Sequence, residues 1–299
     1  MKRGLLALAS LAALAAAAIA YAAVTGPFPV KTTTANEMVP AANANWFAWS
    51  QSAAATPNKV SLLAEPFPLN NGDQFKVNRT GTQGWSGGIE GSTLVYQEVA
   101  SGQSNIYFFD LVDRTRTTHP YVNTLQWEWH PTTSGDRILF GRQSRTTAAE
   151  SVLLHNMTTH QTRTLASTTR SNYAFYPGQV NGNYAVFTAC TPSCNVRLYN
   201  IGTQSLTTVP KPSNVAHQYA GSVAGDGTVY FAQSGRGCGV NVKISRFQSG
   251  VRTVLSPVSA GRDLNFTYTS AEADGNHVYY ERANCSTGGG WNIYQLIDS

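Results

Sequence analysis

GDGTVYFAQ, residues 225–233, can be read in two ways. Gly225-Asp226-Gly227 could open a loop that holds a metal or a phosphate, with Asp226 as its working group. It could equally be a tight turn feeding a strand, since Asp and Gly are residues that short turns accept. Recurrence decides between them. GNYAVF ends at Phe187, SGDRILF at Phe140, EGSTLVY at Tyr96, DGNHVYY at Tyr280 and NANWFAW at Trp49. From Trp49 to Tyr280 the six aromatic residues follow one another at 47, 44, 47, 44 and 49 residues. A catalytic loop would not be replaced by EGS or NGN and still serve the same strand. The stretch is a turn, and Phe231 is its informative end.

A second ladder runs in step with the first. KVSLLA, NIYFFDL, SVLLHNM, NVRLYNI, NVKISRF and NIYQLID each begin with a polar residue, Asn in four of the six. The residues after it are Val60, Ile106, Val152, Val196, Val242 and Ile293, spaced 46, 46, 44, 46 and 51. Two anchors at one period mark a repeat protein. Each unit is rich in Val, Ile, Tyr, Phe and Thr between Gly, Asn, Asp and Ser, so its content is β. The spacing predicts four strands per unit: an inner one such as LQWEWH (125–130), the aromatic-ended strand, the Asn-led strand and a Thr-rich outer one such as QTRTLA (161–166).

Four antiparallel strands per repeat of about 45 residues is the pattern of a propeller blade. The fold expected is therefore all-β: a six-bladed β-propeller of four-stranded antiparallel blades. The sixth unit stops at NIYQLIDS, directly after its third strand. FPVKTTT (28–34) resembles the missing outer strand, so the last blade is expected to be closed by an N-terminal strand. That pairing would remove exposed sheet edges.

Lys2 and Arg3 precede an uncharged Ala/Leu-rich run from Gly4 to Val24, with small-residue sites at Ala18-Ile19-Ala20 and Ala20-Tyr21-Ala22. Residues 1–22 are read as a signal peptide, with an uncleaved N-terminal anchor as the alternative, and 23–299 as one propeller domain. The protein is expected outside the cytoplasm, secreted, periplasmic or at the cell surface, touching a membrane only through an uncleaved leader. Charged residues are 12% of the chain, about half the usual share, but the hydrophobic share is normal, which argues against disorder. The formal charge falls from +5 to +3 without Lys2 and Arg3, and no basic cluster exceeds a pair, so nucleic acid is not an expected partner.

The chain resembles the WD-like repeats of TolB-type propellers. HPTTSGDRILFGR (130–142) is the nearest match to that family's turn and strand, and NIYFFDL (105–111) to its Ile-Tyr strand. The resemblance implies an exported propeller fold and says almost nothing about the partner. Only three of the six turns keep the family's aspartate, at Asp136, Asp226 and Asp274, and no counterpart of TolB's separate N-terminal domain is expected.

In a propeller, second-to-third and blade-to-blade connections share one face. Here they are the long segments, including 52–58, 97–104, 142–150, 232–240 and 281–291, so this face is the expected working face. It carries Arg142, Arg145, Arg236, Arg262 and Arg282, with Trp85, Tyr121 and Trp291, residue types enriched in interface cores. These eight are the candidate binding residues. Trp127 and Trp129, on an inner strand, are assigned to packing between blades. Cys190, Cys194, Cys238 and Cys285 fall on the same face, and an even count in an exported chain points to disulfides. The pairing 190–194 with 238–285 joins only neighbours, whereas 190 to 285 must reach from blade four to blade six.

Support for catalysis is thin: there is no H-E-x-x-H and no Ser-x-Asp-x-Gly-x-Thr-Trp box. The six histidines are dispersed; His155 and His160 are expected at a solvent-exposed turn, and no metal ligand or cofactor is assigned. The reading is a non-enzymatic, monomeric scaffold that binds a protein or envelope component. The rival is a carbohydrate-cleaving propeller using Glu128, Glu281 or Asp263, which would require two of them facing one another in an open central pocket.

Overall fold

The computed structural model describes residues 24–236, 240, 242–257, 262–272, 275–284 and 289–299. They form 24 strands and no α-helix, in six four-stranded antiparallel sheets. Among them no helix is long and apolar enough to cross a membrane.

Blade one is β2 (Asn36–Ala42), β3 (Trp46–Ser52), β4 (Ser61–Pro66) and the short β5 (Phe75–Lys76). Blade two is β6 (Gln83–Glu90), β7 (Thr93–Ala100), β8 (Gln103–Asp110) and β9 (Thr115–Thr117). Blade three is β10 (Trp127–Ser134), β11 (Arg137–Gln143), β12 (Glu150–Asn156) and β13 (Thr162–Thr168). Blade four is β14 (Ala174–Asn181), β15 (Tyr184–Cys190), β16 (Cys194–Asn200) and β17 (Ser205–Thr208). Blade five is β18 (His217–Val223), β19 (Val229–Ser234), β20 (Lys243–Gln248) and β21 (Val251–Pro257). Blade six is β22 (Arg262–Glu272), β23 (Gly275–Asn284) and β24 (Gly289–Asp298), completed by β1 (Val24–Lys31). Each first strand packs against the first strand of the next blade, and β22 packs against β2, which closes the ring.

β1 pairs antiparallel with β24, from Val24 opposite Asp298 to Lys31 opposite Ile293. The N-terminal segment thus supplies the outer strand of the last blade, as the truncated sixth repeat requires. It begins four residues before FPVKTTT and stops at Lys31.

The aromatic ladder has a physical cause. Trp49, Tyr96, Phe140, Phe187, Phe231 and Tyr280 are all fully buried. Side chains alternate across a strand, so each aromatic faces one neighbouring blade and the residue before it faces the other. Tyr96 packs with Leu62 and Ala48 of blade one, while Val95 packs with Ile138 and Phe140 of blade three. Phe231 joins Val186 and Val196 of blade four, while Tyr230 joins Val278 and Tyr280 of blade six. Six apolar clusters fill the six junctions between blades. Both faces of the second strand of each blade are buried, so these strands read as continuous apolar runs.

Gly225-Asp226-Gly227 is the β18–β19 turn. Gly227 has φ +89°, and a Cβ there would sit 2.8 Å from the Tyr184 ring, so glycine is required. Asp226 does not itself carry a positive φ. Its carboxylate accepts the Thr228 amide at 2.8 Å, the Thr228 hydroxyl at 3.0 Å and the Gln248 side-chain amide at 3.0 Å. It closes the turn.

Candidate functional site

Second-to-third and blade-to-blade connections emerge at one end of the ring, and the other turns at the opposite end. The longest at the loop end are 53–60, 118–126, 209–216 and 235–242. Two details differ from the sequence expectation. Residues 97–104 are almost wholly strand, joined by the two-residue turn Ser101-Gly102, because Val99 and Ser104 continue the β7–β8 ladder. At the opposite end, the β4–β5 connection of blade one is eight residues long, 67–74.

The two ends differ in charge. The loop end holds Glu37, Glu98, Glu128, Glu150 and Glu281, and every one of them is buried. Arg79 and Arg116 bind Glu98 at 2.7 and 3.1 Å. Burial raises the Glu98 carboxyl, but those partners outweigh it and hold it below the usual carboxylate range. Glu128 accepts from Arg142 at 2.9 Å and from the Thr124 hydroxyl at 2.6 Å, yet burial keeps its carboxyl above the usual range. Burial pushes Glu281 up to about 8, against the hydrogen bond that its carboxylate accepts from the Val39 amide. Asp73, Glu90, Asp113 and Asp226, the exposed acids, stand at the opposite end. Exposed cations remain at the loop end: Lys59, Arg79, Arg145, Arg170 and Arg236. Among the described residues, therefore, the loop face presents positive charge without exposed carboxylates.

The same face carries an aromatic groove of about 460 Å³ between blades two and three. Trp85, Trp127 and Trp129 line it with His130, Gln97 and Gln143. Trp127 is 38% exposed and its indole donates to the Gly102 carbonyl at 2.9 Å. Trp129 stands edge-on to Tyr176 of blade four, with ring centroids 5.8 Å apart, and its indole N–H is buried with no acceptor. Leu125 and Tyr176, both more than 40% exposed, extend the apolar surface around the groove, whereas Tyr121 lies against His160 of the β12–β13 turn. Desolvation lowers the His130 imidazole to about 4, so it is neutral in the folded protein.

The sequence candidates divide. Trp85 lines the groove, and Arg145 stands at its edge, bonded to Gln103 and Gln126. Arg142 is not free for a partner: it is committed to Glu128 and to the Val122 carbonyl. Arg236 lies apart, in a polar depression with Lys211, His217 and Ser193. Arg282 packs over the Tyr294 ring at 3.9 Å, and the Trp291 amide donates to Asn36 at 3.4 Å, both in blade six. Arg262 belongs to β22, but its side chain and that of Asp263 lie outside the described residues. Sequence reasoning placed Trp127 and Trp129 in inter-blade packing; Trp129 does meet Tyr176 of blade four, and both rings also line the groove. Their i, i+2 spacing, which sets them on one face of the strand, was the available signal.

Cys190 and Cys194 form a disulfide across the β15–β16 hairpin. Cys238 and Cys285 lie outside the described residues. Glu128 and Glu281 are sealed from solvent, so neither stands open to a glycosidic bond.

His155, expected at the surface, is fully buried; His160 is exposed as expected. His119, His155 and His160 come together with one ring nitrogen from each within 4.8 Å of the others.

No family model matches the chain, and no curated protein sequence matches it. Solved structures do. TolB from Acinetobacter baumannii aligns at TM-score 0.58 and 15% identity over 86% of this chain and 64% of its own, so this chain spans just under two thirds of that protein. A putative TolB from Agrobacterium tumefaciens aligns at TM-score 0.56 and 10% identity, over 89% of this chain and 91% of its own. The propeller domain of the Trilobed protease from Pyrococcus furiosus, described as an open velcro, aligns at TM-score 0.52 and 9% identity over 89% and 94%. At these identities the likeness establishes the fold, and the fold is the β-propeller shared by TolB proteins and propeller-bearing peptidases.

Proposed function

We propose that the chain is an exported, non-enzymatic and monomeric scaffold that binds an envelope protein through its loop face. The observation that carries this reading is the pairing of two features on one face: an aromatic groove between blades two and three, and a rim of cations with no exposed carboxylate among the described residues. Such a surface selects a segment with apolar side chains and negative charge, since rim charge steers association and aromatic anchors supply affinity. The disulfide at the same end is consistent with an oxidising compartment outside the cytoplasm. TolB-like propellers among the structural neighbours fit a protein-binding role, while peptidase propellers among them keep an enzyme assembly as the rival.

Charge reversal tests the reading. Replacing Lys59, Arg145 and Arg170 with Glu should slow capture of the partner and remove its salt dependence while leaving the melting temperature within a few degrees. Unchanged capture at low salt would exclude the loop face as the docking surface.

A further inference from the structure

A second site lies on the flank between blades two and three. His119 follows β9 in the connection to blade three, while His155 ends β12 and His160 sits in the β12–β13 turn. The alternation of β12 explains the meeting: His155 lies two residues beyond Leu153, which faces blade two. The His119 ring centroid is 5.3 Å from that of His155 and 5.7 Å from that of His160. Tyr121 lies against His160 at 4.4 Å between centroids.

Two nitrogens in this cluster are unusual. His119 Nδ1 and His155 Nε2 are both buried with no hydrogen-bond partner. A buried unpaired ring nitrogen costs about 1–3 kcal/mol, and two of them beside each other double the penalty unless something joins them. His155 is wholly buried, and its other nitrogen, Nδ1, is 2.8 Å from the Thr162 hydroxyl. When Nδ1–H donates to Thr162, Nε2 is left as a lone pair aimed into the cluster. A ligating histidine is commonly oriented through its second nitrogen in this way.

We propose that His119 Nδ1, His155 Nε2 and one ring nitrogen of His160 bind a single divalent transition ion of the zinc type. Three imidazoles without a carboxylate suit Zn²⁺, Co²⁺, Ni²⁺ or Cu²⁺ and disfavour Mg²⁺ and Ca²⁺, which require oxygen ligands. At a Zn–N length of about 2.0–2.1 Å, tetrahedral ligands stand about 3.3 Å apart. Small rotations of the three rings, whose nitrogens already lie within 4.8 Å of one another, would close that gap. Three protein ligands leave one position, which opens beside Tyr121 to solvent and takes water. The ion joins the tail of blade two to the hairpin of blade three.

The test uses the purified full chain, stripped with chelator and titrated with Zn²⁺, with Co²⁺ as a spectroscopic probe. One Zn²⁺ per chain is expected, raising the melting temperature where Mg²⁺ does not, and Co²⁺ should give the intense visible bands of a tetrahedral site. His119→Asn combined with His160→Gln should abolish both effects; neither position is a fully buried core residue, and the metal-free melting temperature serves as the folding check. Thr162→Val, which removes only the orienting hydroxyl, should weaken Zn²⁺ about 10- to 100-fold. The absence of a one-to-one binding event in the wild type, or a Zn²⁺ affinity that survives in the double variant, would overturn the proposal.

Discussion

Trp129 and Gly141 are cross-strand partners on β10 and β11, and the indole covers the glycine so closely that any Cβ there would overlap the ring. Glycine at 141 is thus what lets the Trp129 ring lie down against the sheet as one wall of the groove. Gly141→Ala should displace the indole and cost about 1–3 kcal/mol, the usual range for forced overpacking. It should also weaken partner binding more than it weakens the fold. Intrinsic tryptophan fluorescence and a denaturant melt would report the two effects separately; binding at the wild-type level with a shifted Trp129 would remove the groove from the site.

Ring closure should be sensitive to a single buried ion pair. Lys31, the last residue of β1, is 2.6 Å from Glu65 of blade one, bonds Asn70 at 2.9 Å and lies over the Trp49 ring at 4.4 Å. Both charges are almost completely buried, and removing one partner of such a pair typically costs about 3–5 kcal/mol, because the other is left unpaired. Lys31→Met should fall in the lower part of that range, and Lys31→Met with Glu65→Leu should recover most of the loss. A double-mutant cycle in urea measures both. Removal of residues 24–36 should lower the melting temperature far more than either.

Glu281 and His130 pull the pH profile in opposite directions. Glu281 has its folded pKa raised from 4.5 to about 8, so the folded state holds a proton that the unfolded state releases, and stability is lost as pH rises between these values. His130 has its folded pKa lowered from 6.5 to about 4, so its burial costs stability as pH falls through that interval. Above pH 6.5 the Glu281 effect acts unopposed by His130. The melting temperature should therefore fall from pH 6.5 to 8.5, and Glu281→Gln should flatten that decline. A wild-type profile that rises over the same interval would contradict the assignment.

The ladder of buried aromatics was legible because the second strand of each blade is covered on both faces, which imposes one residue type at one point of each repeat. The partner strand for β24 was legible for a related reason: an unpaired edge in the sixth blade demanded a strand, and only the N-terminal segment resembled one. The groove was not, because the exposure of Trp127 and Trp129 depends on Gly141 and on the two-residue turn at 101–102, neither of which the β-pattern specifies. Nor was the charge separation, since a glutamate such as Glu98 looks exposed until Arg79 and Arg116 are seen to hold it. His119 and His155 are 36 residues apart and meet only because adjacent blades pack face to face.

The claim that the loop face is the binding surface is tested most directly by photo-crosslinking. A benzophenone amino acid placed at Leu125, 82% exposed beside the groove, is compared with one at Val112, 66% exposed at the opposite end. In a native envelope extract, Leu125 should yield a discrete adduct that disappears when Trp129→Ala or Arg145→Glu is added, and Val112 should yield none. An adduct from Val112 alone, or one from Leu125 that both added substitutions leave intact, would contradict it.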